Sequence, residues 1–289
     1  MREPLNHTAL NHAPLGHAPL SHAPLNQALA QVRLMRIDGS ARSEHDDSVI
    51  AETPVALLYN GQSHAVMMAT PDALEDFALG FALSEGIVAD ADEFNLVDVV
   101  RSADGIALHA AIPQRRFDAL ADRRRNLEGR SGCGLCGVES LQDVLRPVPR
   151  VQAVRHVGIE AIRNALDALA RQQPLNARSG GVHAAGFACA DELLVREDVG
   201  RHNALDKLVG ALARSQPAVD PADGFLVITS RASFEIIHKA ATAGIGLVVA
   251  ISAPTDLAIR IADTADITLA AFARGDTLNV YTHRDRIEG

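Results

Sequence analysis

The spacing of apolar residues divides the C-terminal part of the chain into strands that alternate with helices. Almost continuously apolar runs predict four strands, at residues 225–229, 247–252, 267–272 and 278–282. The segments at 232–243 and 255–265 repeat their apolar positions with helical spacing. Strands of this kind between helices are typical of a parallel sheet covered on both faces, so we expect an α/β fold here.

Two hairpins are predicted nearer the N-terminus. Strand-like runs flank Asn60-Gly61, the strongest short-range hairpin signal, and a second pair flanks Asp104-Gly105. After the first hairpin, Thr70 is the expected N-cap of a helix with Pro71 in its first turn. An amphipathic helix is predicted at residues 159–170. The N-terminal part therefore mixes strands and helices without regular alternation.

Three parts of the chain follow from this pattern. Residues 1–30 are expected to be a disordered tail, because they contain a five-residue repeat whose later units read His-Ala-Pro-Leu and whose prolines break regular hydrogen bonding. We favour an expanded extension here over a metal site built from its histidines. Residues 31–150 are expected to form a smaller α+β portion, and residues 151–289 an α/β cofactor-binding domain.

Composition and charge describe an ordinary globular protein. The chain has 289 residues, of which 47% are hydrophobic and 22% charged, and its formal net charge of −9 argues against a general nucleic-acid binder. Its apolar runs are too short to span a membrane, and the N-terminal stretch lacks the apolar core of a signal peptide. Three cysteines do not make a disulfide scaffold, so we expect a reducing compartment, the cytoplasm.

Two of the three cysteines form a Cys-x-x-Cys pair in Ser131-Gly-Cys-Gly-Leu-Cys-Gly137. Such a pair serves as a dithiol couple, as half of a zinc site, or as a nucleophile that passes on a covalently held group. Neighbouring glycines leave Cys133 and Cys136 accessible to a bulky ligand or a second protein. A helix predicted at 138–145 would place the pair at a helix N-terminus, where oriented amides favour a thiolate. Incidental cysteines in a loop remain the alternative.

Polar residues also gather where strands end and helices begin. Residues 196–203 follow a short strand, and junctions of this kind place polar groups in a crevice. Arg231 follows the strand at 225–229, where a helix N-terminus favours phosphate. His183 lies in a glycine-rich stretch, and its residue type alone favours a hydrogen-bonded core histidine over a site residue. The arginine-rich segment 114–129 suits either a solvated helix face or a docking surface for an acidic partner.

Taken together, these motifs resemble the formate dehydrogenase accessory sulfurtransferases, the FdhD family. The resemblance spans roughly residues 50–287. It rests on five motifs: Ser131-Gly-Cys-Gly-Leu-Cys-Gly137, residues 181–186 (GVHAAG), residues 196–207 (REDVGRHNALDK), residues 230–235 (SRASFE) and residues 279–282 (NVYT). The twelve-residue block is the most specific of these.

The resemblance implies a fold, a reaction and a set of partners. The expected fold is a cytidine-deaminase-like three-layer sheet with helices on both faces, and the expected assembly is a homodimer. Such proteins take sulfur from a cysteine desulfurase as a persulfide and pass it to the molybdenum cofactor, in its bis(molybdopterin guanine dinucleotide) form, for formate dehydrogenase. Cys133 would carry the sulfur and Cys136 would assist or relay it. The residues expected to bind the cofactor are Phe272, Ala273, Arg274, Gly275, Asp276, Thr277, Arg231 and His183.

Two other classes of protein compete with this hypothesis. A zinc deaminase needs a His-x-Glu ahead of a Pro-Cys-x-x-Cys, whereas here His183 follows the cysteines and Ala185 stands at the glutamate position. The sequence therefore disfavours that enzyme, and no metal of the protein's own is expected. A non-enzymatic chaperone that binds the molybdenum cofactor, with a structural or zinc-binding Cys pair, is the stronger competitor.

Overall fold

The computed structural model describes residues 25–128, 147–152, 156–190 and 192–289. Cys133, Cys136, the helix predicted after them and the N-terminal repeat lie outside the described residues. Among the described residues, none of the helices has the length and apolar character that crossing a membrane requires.

Strands and helices are numbered here in chain order. The strands are β1 Leu29–Asp38, β2 Ala41–Ile50, β3 Thr53–Tyr59, β4 Gln62–Ala69, β5 Asn95–Ser102, β6 Gly105–Ala111, β7 Val157–Gly158, β8 His183–Cys189, β9 Glu192–Asp198, β10 Gly224–Ile228, β11 Leu247–Ala250, β12 Thr268–Arg274, β13 Thr277–Val280 and β14 Ile287–Glu288. The helices are α1 Leu25–Ala28, α2 Leu74–Ser84, α3 Gln114–Glu128, α4 Ile159–Arg171, α5 Pro174–Ser179, α6 Arg201–Ala213, α7 Phe234–Thr242 and α8 Asp256–Thr264.

Both predicted hairpins are confirmed, and they join into one four-stranded sheet with the order β4-β3-β6-β5. The first turn has positive φ at both Asn60 and Gly61, as its sequence requires. Helix α2 covers one face of the sheet, where Phe77 packs with Leu57 and Leu108 in a buried cluster. Among the strands that the structure describes, β1 and β2 pair only with each other and form a separate antiparallel ribbon.

The C-terminal part contains a six-stranded sheet with the order β13-β12-β11-β10-β8-β9. Its strands β10, β11 and β12 are parallel, as predicted. The expectation of a parallel sheet is wrong for its last predicted strand, because β13 runs antiparallel to β12. Strand β8, which was not predicted, runs antiparallel to β10 and to β9. Strands β8 and β9, and likewise β12 and β13, are joined by two residues, and a connection that short allows only antiparallel pairing.

Helices cover both faces of this sheet, which confirms the three-layer expectation. One face packs against α6, α7 and α8, with Leu205, Ile236 and Ala258 in its buried cluster. The opposite face packs against α4 through Ile162 and Leu169. The amphipathic pattern at 159–170 therefore predicted this helix correctly.

The two parts of the molecule meet where α2 crosses α6. A Cβ atom added to Gly80 would lie 1.7 Å from the Asp206 carbonyl oxygen, and one added to Gly210 would lie 1.9 Å from that of Asp76. The helices therefore touch backbone to backbone at this crossing. Such an approach is possible only where both helices lack side chains.

The predicted start of α2 is wrong. Helix α2 begins at Leu74 after Ala73, which has positive φ and no side-chain capping bond. Thr70 is instead fully buried, and its hydroxyl accepts a hydrogen bond from the Val199 amide at 3.1 Å. A partner from a distant part of the chain thus takes the oxygen that would have capped the helix.

Regular structure also begins earlier than expected. Helix α1 and the first residues of β1 fall inside the segment 1–30 that the repeat pattern assigned to a tail. Ala28 and Leu29 are buried against Leu175, with Ile50 and Val182 alongside. This small apolar cluster orders the chain from residue 25.

Candidate functional site

The candidate site lies at the edge of the six-stranded sheet where the parallel strands end. Because β9 is parallel to β10 and β8 is antiparallel to both, β9 ends and β8 begins at this same edge. The edge therefore collects His183 at the start of β8, residues 199–203 after β9 and residues 229–233 after β10. Ligands of open α/β sheets bind at such an edge.

Backbone bonds fix His183 beside the end of β10. The Ala184 amide donates to the Thr229 hydroxyl oxygen at 2.9 Å, and the Thr229 amide donates to the Ala184 carbonyl at 3.1 Å. The segments 181–186 and 229–235 are thereby tied together. Two of the motifs found in the sequence thus meet in space.

The first turns of α6 and α7 are joined by a side-chain pair. His202 Nε2 of α6 lies 2.7 Å from Glu235 Oε2 of α7. This close contact with His202, together with the nearby positive charge, lowers the pKa of the Glu235 carboxyl. Glu235 is therefore a carboxylate that orients the His202 ring at the edge of the sheet.

His183 has a neutral imidazole at neutral pH. Its partial burial lowers its pKa, and Arg201 and His202 nearby lower it further. A neutral ring offers one hydrogen-bond donor and one acceptor to a ligand. The interpretation of His183 as a buried core histidine is therefore wrong, because the ring is half-buried among charged neighbours at the strand end.

Two helix N-termini face this edge without side-chain caps. The cap residues are Gly200 for α6 and Ser233 for α7, and neither supplies a capping bond. Within the described residues, the buried atoms Ser233 Oγ and Arg201 Nε have no hydrogen-bond partner. Free helix amides, an unpaired hydroxyl and an unpaired guanidinium nitrogen together suit an anion such as a phosphate.

Arg231 lies in the loop between these motifs. It is exposed, and the residue after it is held by hydrogen bonds from the Ala232 amide to the Ala253 carbonyl and from the Thr255 amide to the Ala232 carbonyl. The loop is thus fixed while the guanidinium stays available to a ligand. This placement agrees with the position predicted for Arg231.

The residues of the segment 272–277 differ in their position and exposure. Phe272 occupies a β-bulge with φ of 54°, its amide donates to the Ser252 carbonyl, and its ring is 45% exposed at the strand end. A bulge of this kind changes the direction in which a side chain leaves the strand. Ala273 is buried, whereas the remaining predicted residues form an exposed hairpin tip: Arg274, Gly275, Asp276 and Thr277.

The hairpin tip leans toward α4. Asp276 Oδ1 lies 3.6 Å from Arg163 Nε of that helix. The Asp276 side chain nevertheless stays 92% exposed, and the hairpin tip directly follows the carboxyl end of β12. Of the six residues predicted in this segment, Phe272 is the one that the backbone directs outward next to Ser252.

A buried network of an ion pair and hydrogen bonds holds the residues of this edge in place. Asp198 and Lys207 form an ion pair of 2.7 Å, and both side chains are fully buried. Asp198 also accepts hydrogen bonds from the amides of Thr70 and Gly200 and from the side chain of Asn203. The turn that carries Arg201 and His202 is therefore clamped to the N-terminal part of the chain.

The sequence indicated the segments that form the candidate site but not all of the side chains in it. His183, Arg231 and Phe272 were predicted, and the structure brings them to one edge. Arg201, His202, Ser233 and Glu235 were not singled out, although the polar density of 196–203 and 230–235 marked their segments. Which polar residues face a ligand depends on helix register, which the pattern alone does not give.

Two other features lie apart from this edge. Cys189 is at the far end of β8 from His183, about 20 Å away along the strand. A cavity of about 430 Å³ lies between helix ends and is lined by Leu83, Arg116, Val209 and Pro221 among others. The described residues contain no group of three or more His, Cys, Asp or Glu that could hold a metal ion.

Comparison with known proteins agrees with the motifs. Residues 50–288 match the FdhD/NarQ family model. A protein of Xanthomonas axonopodis pv. citri (strain 306) named "Sulfur carrier protein FdhD" is 53% identical over 260 residues, which cover 89% of this chain and 92% of that protein. A protein of the same name from Bordetella petrii is 46% identical over 262 residues, with 89% and 94% covered.

The fold has a counterpart among crystal structures. A Desulfotalea psychrophila protein assigned as a formate dehydrogenase accessory protein superposes with a TM-score of 0.70, covering 90% of this chain and 99% of that one at 24% identity. The likeness confirms the α/β architecture. The family model covers more than half of the chain, and the chain therefore belongs to the FdhD/NarQ family.

Proposed function

We propose that this protein is a sulfurtransferase that supports formate dehydrogenase. It takes sulfur from a cysteine desulfurase as a persulfide on Cys133 and transfers it to the molybdenum cofactor, as bis(molybdopterin guanine dinucleotide), before that cofactor enters formate dehydrogenase. The names of the relatives, sulfur carrier proteins, support the sulfur-carrying part. The convergence of three family motifs on one anion-suited edge is the observation that carries the acceptor part.

The sulfur-loading step needs only thiol chemistry. The Cys133 thiolate attacks the terminal sulfur of the desulfurase persulfide, the donor's sulfur–sulfur bond breaks, and the donor cysteine leaves as a thiolate. Cys136, three residues after Cys133 in the same glycine-rich segment, assists or relays the sulfur. This step requires an accessible thiolate, which the glycines around the pair favour.

The sheet edge is the proposed binding place of the sulfur acceptor. The free amides at the starts of α6 and α7, with Arg201 and Arg231, would hold the phosphates of a guanine dinucleotide. Neutral His183 and the exposed ring of Phe272 offer a hydrogen bond and a stacking surface beside them. Direct transfer further requires that the segment carrying Cys133 reaches this edge.

Guanosine diphosphate is a suitable probe of this acceptor site. We expect it to bind the purified protein, and Arg231→Ala and Arg201→Ala each to weaken binding about tenfold, the effect of losing about 1.4 kcal/mol from a charge-assisted bond. Arg260→Ala is the matched control, because Arg260 is an exposed arginine of α8 paired with Asp256. Equal binding by all of these variants in titration calorimetry would remove the edge from the proposal.

The chaperone alternative differs in its dependence on sulfur. A protein that only binds the cofactor would support formate dehydrogenase without its thiols. Cys133→Ala and Cys136→Ala variants that keep full support in a reconstitution assay would favour the chaperone, whereas loss of support by Cys133→Ala favours the sulfurtransferase. The proposal also includes a homodimer and a cytoplasmic location.

A further inference from the structure

Two charged pairs follow one another along the contact between α6 and α7. The edge pair consists of His202 and Glu235 at the edge of the sheet. Four residues further along each helix lies an inner pair, in which Lys239 Nζ of α7 is 2.9 Å from Asp206 Oδ1 of α6. Residues four apart lie on one face of a helix, about 6 Å from each other. The two pairs therefore lie one turn apart on the same two helix faces.

The inner pair acts on the edge pair through its charge. Along α7 the glutamate precedes the lysine by four residues, which is the favourable order of the two charges within a helix. The pKa of Glu235 is lowered by its contact with His202 and further by the positive charges of Arg201 and Lys239. Lys239 therefore contributes to keeping Glu235 ionised beside His202.

The Lys239 ammonium group is held by the N-terminal part of the chain as well as by α6. Its three acceptors are Ser84 Oγ at 2.9 Å, Glu85 Oε1 at 2.8 Å and Asp206 Oδ1 at 2.9 Å. The Ser84 hydroxyl also donates to Asp206 Oδ1 at 2.6 Å. Burial alone would lower the pKa of Lys239, but Asp206 and Glu85 raise it, so the ammonium group stays charged. The inner pair thus ties α6 and α7 to the end of α2.

Stability alone does not explain an ion pair in this position. The side chains of Asp206 and Lys239 are only 1% and 8% exposed, and Leu205 and Ala240 next to them belong to the apolar core. Apolar side chains of similar volume often stabilise such a position as well as an ion pair or better. A hydrogen-bonded ion pair, in contrast, requires one geometry. The inner pair is therefore better suited to fixing positions than to adding stability.

We propose that Asp206 and Lys239 are positioning residues, which hold His202 against Glu235 at the edge of the sheet by fixing α6 and α7 relative to each other and to α2. That the edge pair serves the sulfur acceptor rests on the proposed function. The same contacts set the distance between the uncapped starts of α6 and α7. The N-terminal part of the chain thereby contributes to the geometry of the candidate site through α2.

The double variant Asp206→Leu/Lys239→Met tests this role without leaving a buried charge unpaired. Its free energy of unfolding should be no lower than that of the wild-type protein, because apolar side chains of similar volume replace the pair. In histidine-labelled wild-type protein without ligand, we expect nuclear Overhauser contacts between the His202 ring and the Glu235 side chain. The double variant should lose these contacts, because the two helix starts are no longer fixed.

A milder variant and a control accompany the double variant. Ser84→Ala leaves both charges of the inner pair in place but removes one acceptor of Lys239, so it should weaken the same Overhauser contacts in part. Arg214→Met is the control, because Arg214 joins the end of α6 to Asp76 of α2 at 3.1 Å, two turns beyond Asp206. The control should keep the contacts between His202 and Glu235.

Binding of guanosine diphosphate relates the inner pair to the acceptor site. In titration calorimetry the double variant should bind it about tenfold more weakly than the wild-type protein. His202→Ala should weaken binding by the wild-type protein but add no further loss in the double variant, because the ring is already displaced there.

Two outcomes would overturn the inference. One is a double variant that keeps the Overhauser contacts between His202 and Glu235, and the other is a loss of affinity that simply adds to that of His202→Ala. A wild-type protein that does not bind guanosine diphosphate would instead contradict the proposed acceptor site. Because the Overhauser contacts are measured without ligand, they decide the positioning role in that case too.

Discussion

At the carboxyl edge of the sheet, the protonation state of a single residue depends on its neighbours in the fold more than on its residue type. His183 alone in the sequence suits a core histidine, but Arg201 and His202 stand beside it in the fold, and partial burial adds to their effect on its pKa. Glu235 is held in its ionised form by His202. These contacts join residues that are far apart in the chain, so the segments could be predicted while the individual side chains could not.

The lowered pKa of His183 predicts how stability depends on pH. The unfolded chain binds a proton near the ordinary histidine value of about 6.5, whereas the folded protein resists protonation at this position. The contribution of His183 to stability is therefore complete above that value and is lost as the pH falls below it. Glu235 stays ionised in this window because its pKa is lowered.

Urea unfolding at about pH 7.5 and about pH 5.5 measures this effect. We expect the urea concentration at the unfolding midpoint of the wild-type protein to be lower at the lower pH. The midpoint of His183→Gln should decrease less between the two pH values, because glutamine takes up no proton. His156→Gln is the control, since His156 is an exposed histidine away from the site. A wild-type loss matched in full by His183→Gln would contradict the assignment.

Elements of the two parts are joined through α2 and α6, and this junction also positions the site. Asp198 accepts hydrogen bonds from backbone amides of both parts of the chain. Lys207 belongs to the same network and donates a hydrogen bond to the Thr70 carbonyl. The sequence block at 196–207 thus combines buried residues that hold the junction with half-buried residues, Arg201 and His202, at the candidate site. The misplaced start of α2 has the same origin, since Thr70 is bonded to Val199 and not to its own helix.

The ion pair inside this network predicts a large cost for removing one partner. Lys207→Met leaves the Asp198 carboxylate buried without its cation, which should lower the free energy of unfolding by about 3–5 kcal/mol. The exposed pair of Arg260 and Asp256 provides the control, and Arg260→Met should change the free energy of unfolding by less than about 0.5 kcal/mol. Similar values for the two variants in denaturant unfolding would show that the network does not clamp the junction.

The helix crossing makes a separate prediction. Gly210→Ala places a methyl group within 1.9 Å of the Asp76 carbonyl oxygen, so the helices must separate, at a cost of about 3 kcal/mol. Gly158→Ala meets no atom within 4 Å and should cost less than about 1 kcal/mol. Thermal unfolding of both variants checks the difference, and a Gly210→Ala protein as stable as Gly158→Ala would mean that the backbones do not touch there.

At the scale of the whole molecule, regular alternation of strands and helices was the most informative signal. It predicted β10, β11 and β12 with their helices, because buried parallel strands have an apolar pattern that few other structures share. It did not predict the ribbon of β1 and β2, whose largely exposed strands lack that pattern. The strand at 278–282 was predicted without its antiparallel direction, and β8, which runs antiparallel to β10, was not predicted as a strand.

The central claim is that this chain carries sulfur on Cys133, and mass spectrometry tests it most directly. The purified protein is incubated with an active cysteine desulfurase and cysteine, digested, and measured with and without reductant, with Cys133→Ser as the matched variant. We predict the gain of one sulfur atom on the peptide that contains Cys133, reversed by reductant and absent from Cys133→Ser. An unmodified Cys133 peptide, beside a desulfurase shown to be turning over, would contradict the account.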